Sequence, residues 1–150
     1  LNKPLQFMQR ALNEASLCLK RNEVPVGAVV VDASGKVIAS AGNEVLKQQD
    51  VTAHAEILAI RRASKLLGSE RLIGCDLYVT LEPCPMCAAA ISMARIRRLY
   101  FGAYDIKSGG VEHGAQIFDA SSCHHRPEIY GGICEQEVAD MLQKFFCDKR

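Results

Sequence analysis

Long apolar runs are missing from this chain of 150 residues. No stretch approaches the ~20 consecutive apolar residues that a spanning helix needs, which excludes that class of membrane protein and makes a soluble chain the expectation. No basic segment followed by a small-residue cleavage site precedes the first amphipathic stretch, which begins almost at Leu1, so no targeting peptide is expected. An excess of charge of one sign is also missing. Lys and Arg number 18 against 17 Asp and Glu, for a net charge of +1, so there is no general electrostatic pull toward nucleic acid and any such contact has to be local. Neither a repeat, a low-complexity tract nor a Pro/Ser-rich linker divides the chain, and its length suits one domain, 1–150, with a core of its own. An even cysteine count is the last absence. Seven cysteines in a chain large enough to fold without staples argue against a disulfide framework and for a reducing compartment, the cytoplasm.

What is present alternates between two periods. Asn2 can cap and Pro4 can open a helix whose apolar residues Met8, Leu12, Ala15 and Leu19 recur every three to four positions. Ala28 to Val31 and Lys36 to Ala41, joined by the turn residues from Asp32 to Gly35, read as a hairpin. A second helix starts near Thr52 or Ala53 and runs through Ile57, Ile60, Ala63 and Leu67 until Gly68 stops it. Leu77 to Leu81 is a short strand, Pro85 suits the first position of the helix that follows, and Arg98 to Ala103 is the next strand. Val138, Met141, Leu142, Phe145 and Phe146 form the stripe of a closing helix. Strands alternating with helices predict an α/β sheet covered on both faces, and the leading hairpin makes that sheet mixed. Basic residues gather at Arg61, Arg62 and Lys65, at Arg95, Arg97 and Arg98, and at Lys144, Lys149 and Arg150, where a solvated helix face explains them as well as a phosphate contact.

Two segments carry chemistry, and each opens a helix. At a helix tip His54 and Glu56 can address one pocket, whereas two residues apart on a mid-helix surface they would diverge. Cys84 at the cap and Cys87 three residues on converge on one point, where free N–H groups and the helix dipole favour the thiolates that metals require. One imidazole and two thiolates make a three-ligand zinc set that leaves the fourth tetrahedral position open, as catalytic sites do. Glu56 then takes the proton of the zinc-bound water. Singly, each piece has a plainer reading: His54 as a satisfied helix histidine, Glu56 as a first-turn acid, and Cys84-Pro85-Met86-Cys87 as a thiol oxidoreductase motif or part of a structural zinc module. Together, His-x-Glu followed about thirty residues later by Pro-Cys-x-x-Cys matches the signature of zinc-dependent base deaminases. Cys123-His124-His125 offers further donor types, but neighbouring residues rarely converge on one ion.

Val24-Pro25-Val26-Gly27-Ala28, Thr52-Ala53-His54-Ala55-Glu56, Leu81-Glu82-Pro83-Cys84-Pro85-Met86-Cys87, Ala94-Arg95-Ile96 and Phe101-Gly102-Ala103 resemble the bacterial tRNA-specific adenosine deaminase family, within the cytidine deaminase superfamily, almost end to end. The resemblance implies a three-layer α/β/α cytidine deaminase-like fold with about five strands, one Zn²⁺ per chain, a homodimer, and conversion of the wobble adenosine of a tRNA anticodon loop to inosine. It implies that hydroxide on the zinc attacks C6 while Glu56 shuttles protons, that Asn43 reads the adenine edge, and that the backbone of Ala55 helps hold a base packed on Val26. It extends the contact with the anticodon stem-loop to Asp105, Lys107, Phe145 and Phe146. On the residues alone Asn43 also suits a turn, the two phenylalanines suit a core stripe, and Ile91 to Met93 suit either the sheet or a second copy. Where the family often follows the aromatic pair with a basic residue and a basic tail, this chain has Cys147-Asp148 and ends at Arg150. A deaminase acting on free guanine, cytosine or a nucleoside is the alternative within the same chemistry.

Overall fold

The computed structural model describes residues 3–149, so the expected cap at Asn2 and the basic Arg150 lie outside the described residues. Helix α1 (Lys3–Leu19) buries Met8, Leu12 and Ala15 of the sequence stripe together with Ala11 and Cys18, while Leu19 stays exposed. Strands β1 (Gly27–Val31) and β2 (Val37–Gly42) form the hairpin, closed by Asp32, whose carboxylate accepts from the backbone N–H groups of Ser34 and Lys36 at 3.0 Å each. The short helix α2 (Val45–Gln48) and helix α3 (Ala55–Leu67) follow, then strand β3 (Asp76–Leu81), helix α4 (Pro85–Met93), strand β4 (Arg98–Ala103), a 3₁₀ turn at Ile117–Asp119, strand β5 (Glu128–Tyr130) and helix α5 (Glu135–Asp148).

The sheet has the order β2-β1-β3-β4-β5. β1 is antiparallel to β2 and β3, whereas β3, β4 and β5 run parallel, so the sheet is mixed as expected. Alternation of side chains along each strand sets the layers. Ala28, Val30, Leu77, Val79, Leu99 and Phe101 share a core with Ala55, Leu58, Ala59 and Ala63 of α3 and Ala88 and Ile91 of α4. Val29, Val31, Tyr78 and Tyr100 face the other way, against Met8 and Ala11 of α1, and Val138 of α5 packs with Leu12 and Ala103. These are the three layers of the α/β/α fold. Each fully buried Leu or Ile contributes on the order of 1.5–3 kcal/mol by leaving water.

Two details fix this packing. A Cβ on Gly27 would stand 1.9 Å from the carbonyl oxygen of Ala11, so α1 lies directly on the β1 backbone and only glycine admits that approach. Tyr78, Tyr100 and Tyr130 sit in register on adjacent strands and stack with ring centroids 4.3 and 5.0 Å apart, which ties the three-residue β5 to the sheet.

The second helix starts later than Thr52 or Ala53. Asp50 accepts from the N–H and hydroxyl of Thr52 at 2.9 and 2.7 Å, holding that segment as a turn, and His54 becomes the residue capping α3 in an extended conformation. β3 and β4, being parallel, release their chains at one edge of the sheet. That edge, outside the carboxyl ends of strands, is where open α/β sheets bind ligands.

Candidate active site

α3 and α4 both open toward this edge, and their caps are His54 and Cys84. Pro85 takes the first helical position of α4, where its missing N–H costs nothing. His54 Nδ1 stands 3.6 Å from Cys84 Sγ and 3.5 Å from Cys87 Sγ, and the three donor atoms all lie within 4.8 Å of one another. Bonds of zinc to nitrogen and sulfur at tetrahedral angles set N–S separations of ~3.5 Å, so the donor set fits this metal without rearrangement. Among the described residues no other group of three such side chains converges in this way. Cys123 instead hydrogen-bonds the carbonyl of His125, whose ring reaches the carbonyl of Ile96, so two of the three residues of Cys123-His124-His125 are engaged with backbone.

The electrostatics favour a bound cation and a working acid. The hydrogen bond from the Cys87 thiol, against the opposing effect of burial, and those from His54 and the Cys87 backbone bring the Cys84 thiol down to about 4. The same thiol–thiolate bond, with burial, pushes Cys87 up, and the bond to Cys84 raises His54. Glu56, in the first turn of α3, is buried, and loss of solvent pushes its carboxyl up to about 7, helped by the Cys84 thiolate. A carboxyl at that value exchanges protons in both directions near neutral pH, as a general acid and base must.

A pocket of about 220 Å³ stands over these groups, lined by Val24, Val26, Asn43, His54, Glu56, Leu81, Glu82, Cys84, Asp105 and Ser108. Val26, Asn43 and Asp105, singled out in the sequence, therefore share one wall with His54, Glu56 and Cys84. Ala55 is buried beside them at the first position of α3, where the backbone N–H has no partner within the helix. The pocket shares Val24, Leu81, Asp105 and Ser108 with an adjoining groove of about 700 Å³ that adds Tyr104, Ile106, Lys107, Leu142 and Phe146. Phe146 is 53% exposed, so the core reading of that ring fails. Phe145 is not part of this groove. It lies under the Lys149 ammonium, 5.4 Å from the ring centre, in a hollow with Leu19, Asn22 and Met141.

Of the basic clusters, Arg97 makes a bidentate pair with Asp76 and Arg98 pairs with Glu128, while Arg62 binds Ser40 and Glu44. Four lining residues, Val24, Leu81, Glu82 and Ser108, have no role assigned from sequence, although the first three lie within the motifs that carry the family resemblance. Ser108 and Glu82 line the pocket from loops, and the signal for Glu82 was an acid closing an apolar strand with no basic neighbour to explain it.

Residues 1–103 match the cytidine and deoxycytidylate deaminase zinc-binding region. A tRNA-specific adenosine deaminase of Agrobacterium fabrum is 58% identical over 144 residues, 96% of this chain and 94% of that protein. A solved structure from work on A-to-I editing by tRNA:A34 deaminases at the wobble position of transfer RNA superposes with a TM-score of 0.89 at 58% identity, covering 91% of this chain and 99% of that one. A guanine deaminase from Nitrosomonas europaea shares the fold alone, with a TM-score of 0.82 at 23% identity over 96% of this chain and 85% of that one. The chain belongs to the tRNA-specific adenosine deaminase family, which carries the zinc-binding deaminase region.

Proposed function

We propose that this protein hydrolytically deaminates the wobble adenosine of a tRNA anticodon loop to inosine, with His54, Cys84 and Cys87 holding one zinc ion and Glu56 moving the protons. The carrying observation is the convergence of three zinc-type donors within 4.8 Å at the floor of a pocket that also holds a buried carboxyl near pKa 7. Zinc, when bound there, supplies the acidity that makes water a nucleophile near neutral pH. Glu56 accepts the proton that water gives up and delivers it to N1 of the adenine as the oxygen bonds to C6, then takes the remaining proton of that oxygen and gives it to the amine, so that the C6–N bond breaks and ammonia leaves. Adenosine and water are consumed; inosine and ammonia are formed. The Asn43 side chain offers both a donor and an acceptor to the purine edge, the first-turn N–H of Ala55 offers another donor, and Val26 supplies an apolar surface for the ring.

The groove beside the pocket favours a polynucleotide over a free base. A base flipped from its loop leaves flanking nucleotides outside the pocket, and the wall of Tyr104, Asp105, Ile106, Lys107 and Phe146 presents aromatic, apolar and charged groups to them. Phe145 and Lys144 line a separate hollow on α5, with Leu19 and Asn22, as a second and weaker contact for the stem-loop. The protein works as one domain in the cytoplasm, where its substrate and its reduced cysteines belong. All seven cysteines are free, and no described helix is long and apolar enough to cross a membrane. It forms a homodimer through the outer face of α4. Ile91, Ala94 and Ile96 are buried against this chain's own core, which leaves Met93, 73% exposed, as the apolar group offered to the second copy.

The test offers purified protein an anticodon stem-loop with adenosine at the wobble position and, separately, free adenosine, guanine and cytosine. Ammonia release confined to the stem-loop is the expected result. Equal turnover of any free base or nucleoside would remove tRNA from the proposal, and disulfide cycling between Cys84 and Cys87 in place of ammonia release would make the protein a thiol oxidoreductase.

A further inference from the structure

Glu82 is buried, with its side chain wholly out of solvent, and it has no Lys or Arg partner among the described residues. Its carboxylate faces instead a ring of donors from one loop. Oε1 accepts from the N–H of Asp105 at 3.0 Å and lies 2.9 Å from His113 Nδ1. Oε2 accepts from the N–H groups of Val111, Glu112 and His113 at 3.2, 2.9 and 3.0 Å. Both ends of the segment from Asp105 to His113 are thus pinned to one side chain.

The loop closes on the zinc-site turn with little room to spare. Gly110 donates to the carbonyl of Pro83 at 2.8 Å, and a Cβ on Gly110 would lie 2.6 Å from the nitrogen of Pro85. A Cβ on Gly109 would lie 2.5 Å from Glu82 Oε2. Within the loop, Ser108 donates its N–H to the Asp105 carboxylate at 2.9 Å, so Asp105 and Ser108 hold each other in the orientation in which both line the pocket and its groove.

We infer that Glu82 is a positioning residue for the substrate-facing wall: it sets the loop from Asp105 to His113 in place so that Asp105 and Ser108 meet the nucleotides around the reacting base. A buried carboxylate stripped of solvent is stabilised by converging N–H donors, and the same donors fix the backbone that carries them. The hydrogen bonds of the Glu82 carboxylate go to Asp105, Val111, Glu112 and His113 and to none of His54, Glu56, Cys84 or Cys87, so it acts through the loop. A Gln at this place keeps the size but turns an NH₂ group toward donors already present, which releases one end of the segment.

This inference rests on the stem-loop reading above. Its test uses the zinc-loaded Glu82→Gln and His113→Ala proteins. Zinc stoichiometry, kcat and KM for the stem-loop, and hydrogen exchange at the amides from Asp105 to His113 are measured against the parent. The expected result is one zinc retained, kcat within a few-fold, KM raised by roughly 10- to 100-fold in Glu82→Gln and less in His113→Ala, the scale of losing an outer-layer partner, with faster exchange confined to the loop. Loss of zinc, a fall in kcat at unchanged KM, or unchanged KM with unchanged exchange would each overturn it. Should Glu82→Gln not fold, His113→Ala decides by the same readouts. If the parent protein prefers a free base, the tRNA reading fails on its own, and KM for that base together with loop exchange still decides the role of Glu82.

Discussion

The imidazole Nδ1 of His54 and the thiol of Cys87 lie 3.5 Å apart although 33 positions separate them in the chain. Such an approach places two donors on adjacent corners of one coordination tetrahedron. Cys84→Ser and Cys87→Ser should therefore each lose zinc and activity together, because a hydroxyl is a poor substitute for a thiolate. Elemental analysis after dialysis checks this, and a full equivalent of zinc in either variant would refute the ligand set. Chelation of the parent protein should lower its Tm, since a ligand bound only by the folded chain stabilises it.

Glu56 should separate chemistry from structure. Glu56→Ala keeps zinc and RNA binding but loses turnover by at least ~10² to 10⁴, the usual scale of general acid and base catalysis. Single-turnover kinetics on the stem-loop, with metal content measured alongside, would show the outcome. Turnover within a few-fold of the parent would move the proton shuttle to another group.

Phe146 stands in the groove and Phe145 outside it, so Phe146→Ala should weaken stem-loop binding by about 1–3 kcal/mol, the value of one base stacked on an aromatic ring. Phe145→Ala should cost less. Because Phe146 is exposed, its removal should leave stability within ~0.5 kcal/mol, so the binding loss is not an unfolding loss. Equal affinity in the parent and Phe146→Ala proteins would rule that ring out as a platform.

Stability below neutrality should carry the signature of Glu44. The hydrogen bond from Gln48, with Lys47 and Arg62 beside it and against some burial, holds its carboxyl below the ordinary value of 4.5. The unfolded chain therefore takes up this proton first as pH falls. The contribution of Glu44 is complete above about 4.5 and is lost as pH drops through the lower folded value. Glu44→Gln should melt below the parent at neutral pH, and the gap should close on acidification. A gap that stays constant on both sides of 4.5 would show that Glu44 does not contribute in this way.

Local pattern carried much of this architecture. Arg98 to Ala103 was readable as a strand to its last residue, because its apolar run is bounded by charge and turn. The start of α4 was readable because Pro85 acts within one turn, whereas that of α3 falls two to three residues later than Thr52 or Ala53 because Asp50 holds Thr52 in a turn. What escaped depends on residues far apart. α2 is a four-residue helix whose N–H groups at Leu46 and Lys47 are accepted by Glu23, more than twenty positions away. β5 is three residues whose pairing rests on the stack of Tyr130 upon Tyr100. Phe145 and Phe146 differ by about 100° around their helix, so only one can face a given groove, and periodicity cannot say which. Glu82 looked like an isolated acid because its partners come from a loop more than twenty residues later.

The placement of His54, Glu56, Cys84 and Cys87 on the anchored ends of two packed helices, with Val24, Asn43, Asp105 and Ser108 on the connecting segments above them, divides the molecule by tolerance to change. Helix ends seated in a shared core cannot shift without disturbing the sheet, so displacing these four side chains carries a folding cost. The connecting segments accept substitution at small cost to folding. Substitutions there can alter which base the pocket accepts while leaving the metal donors in place.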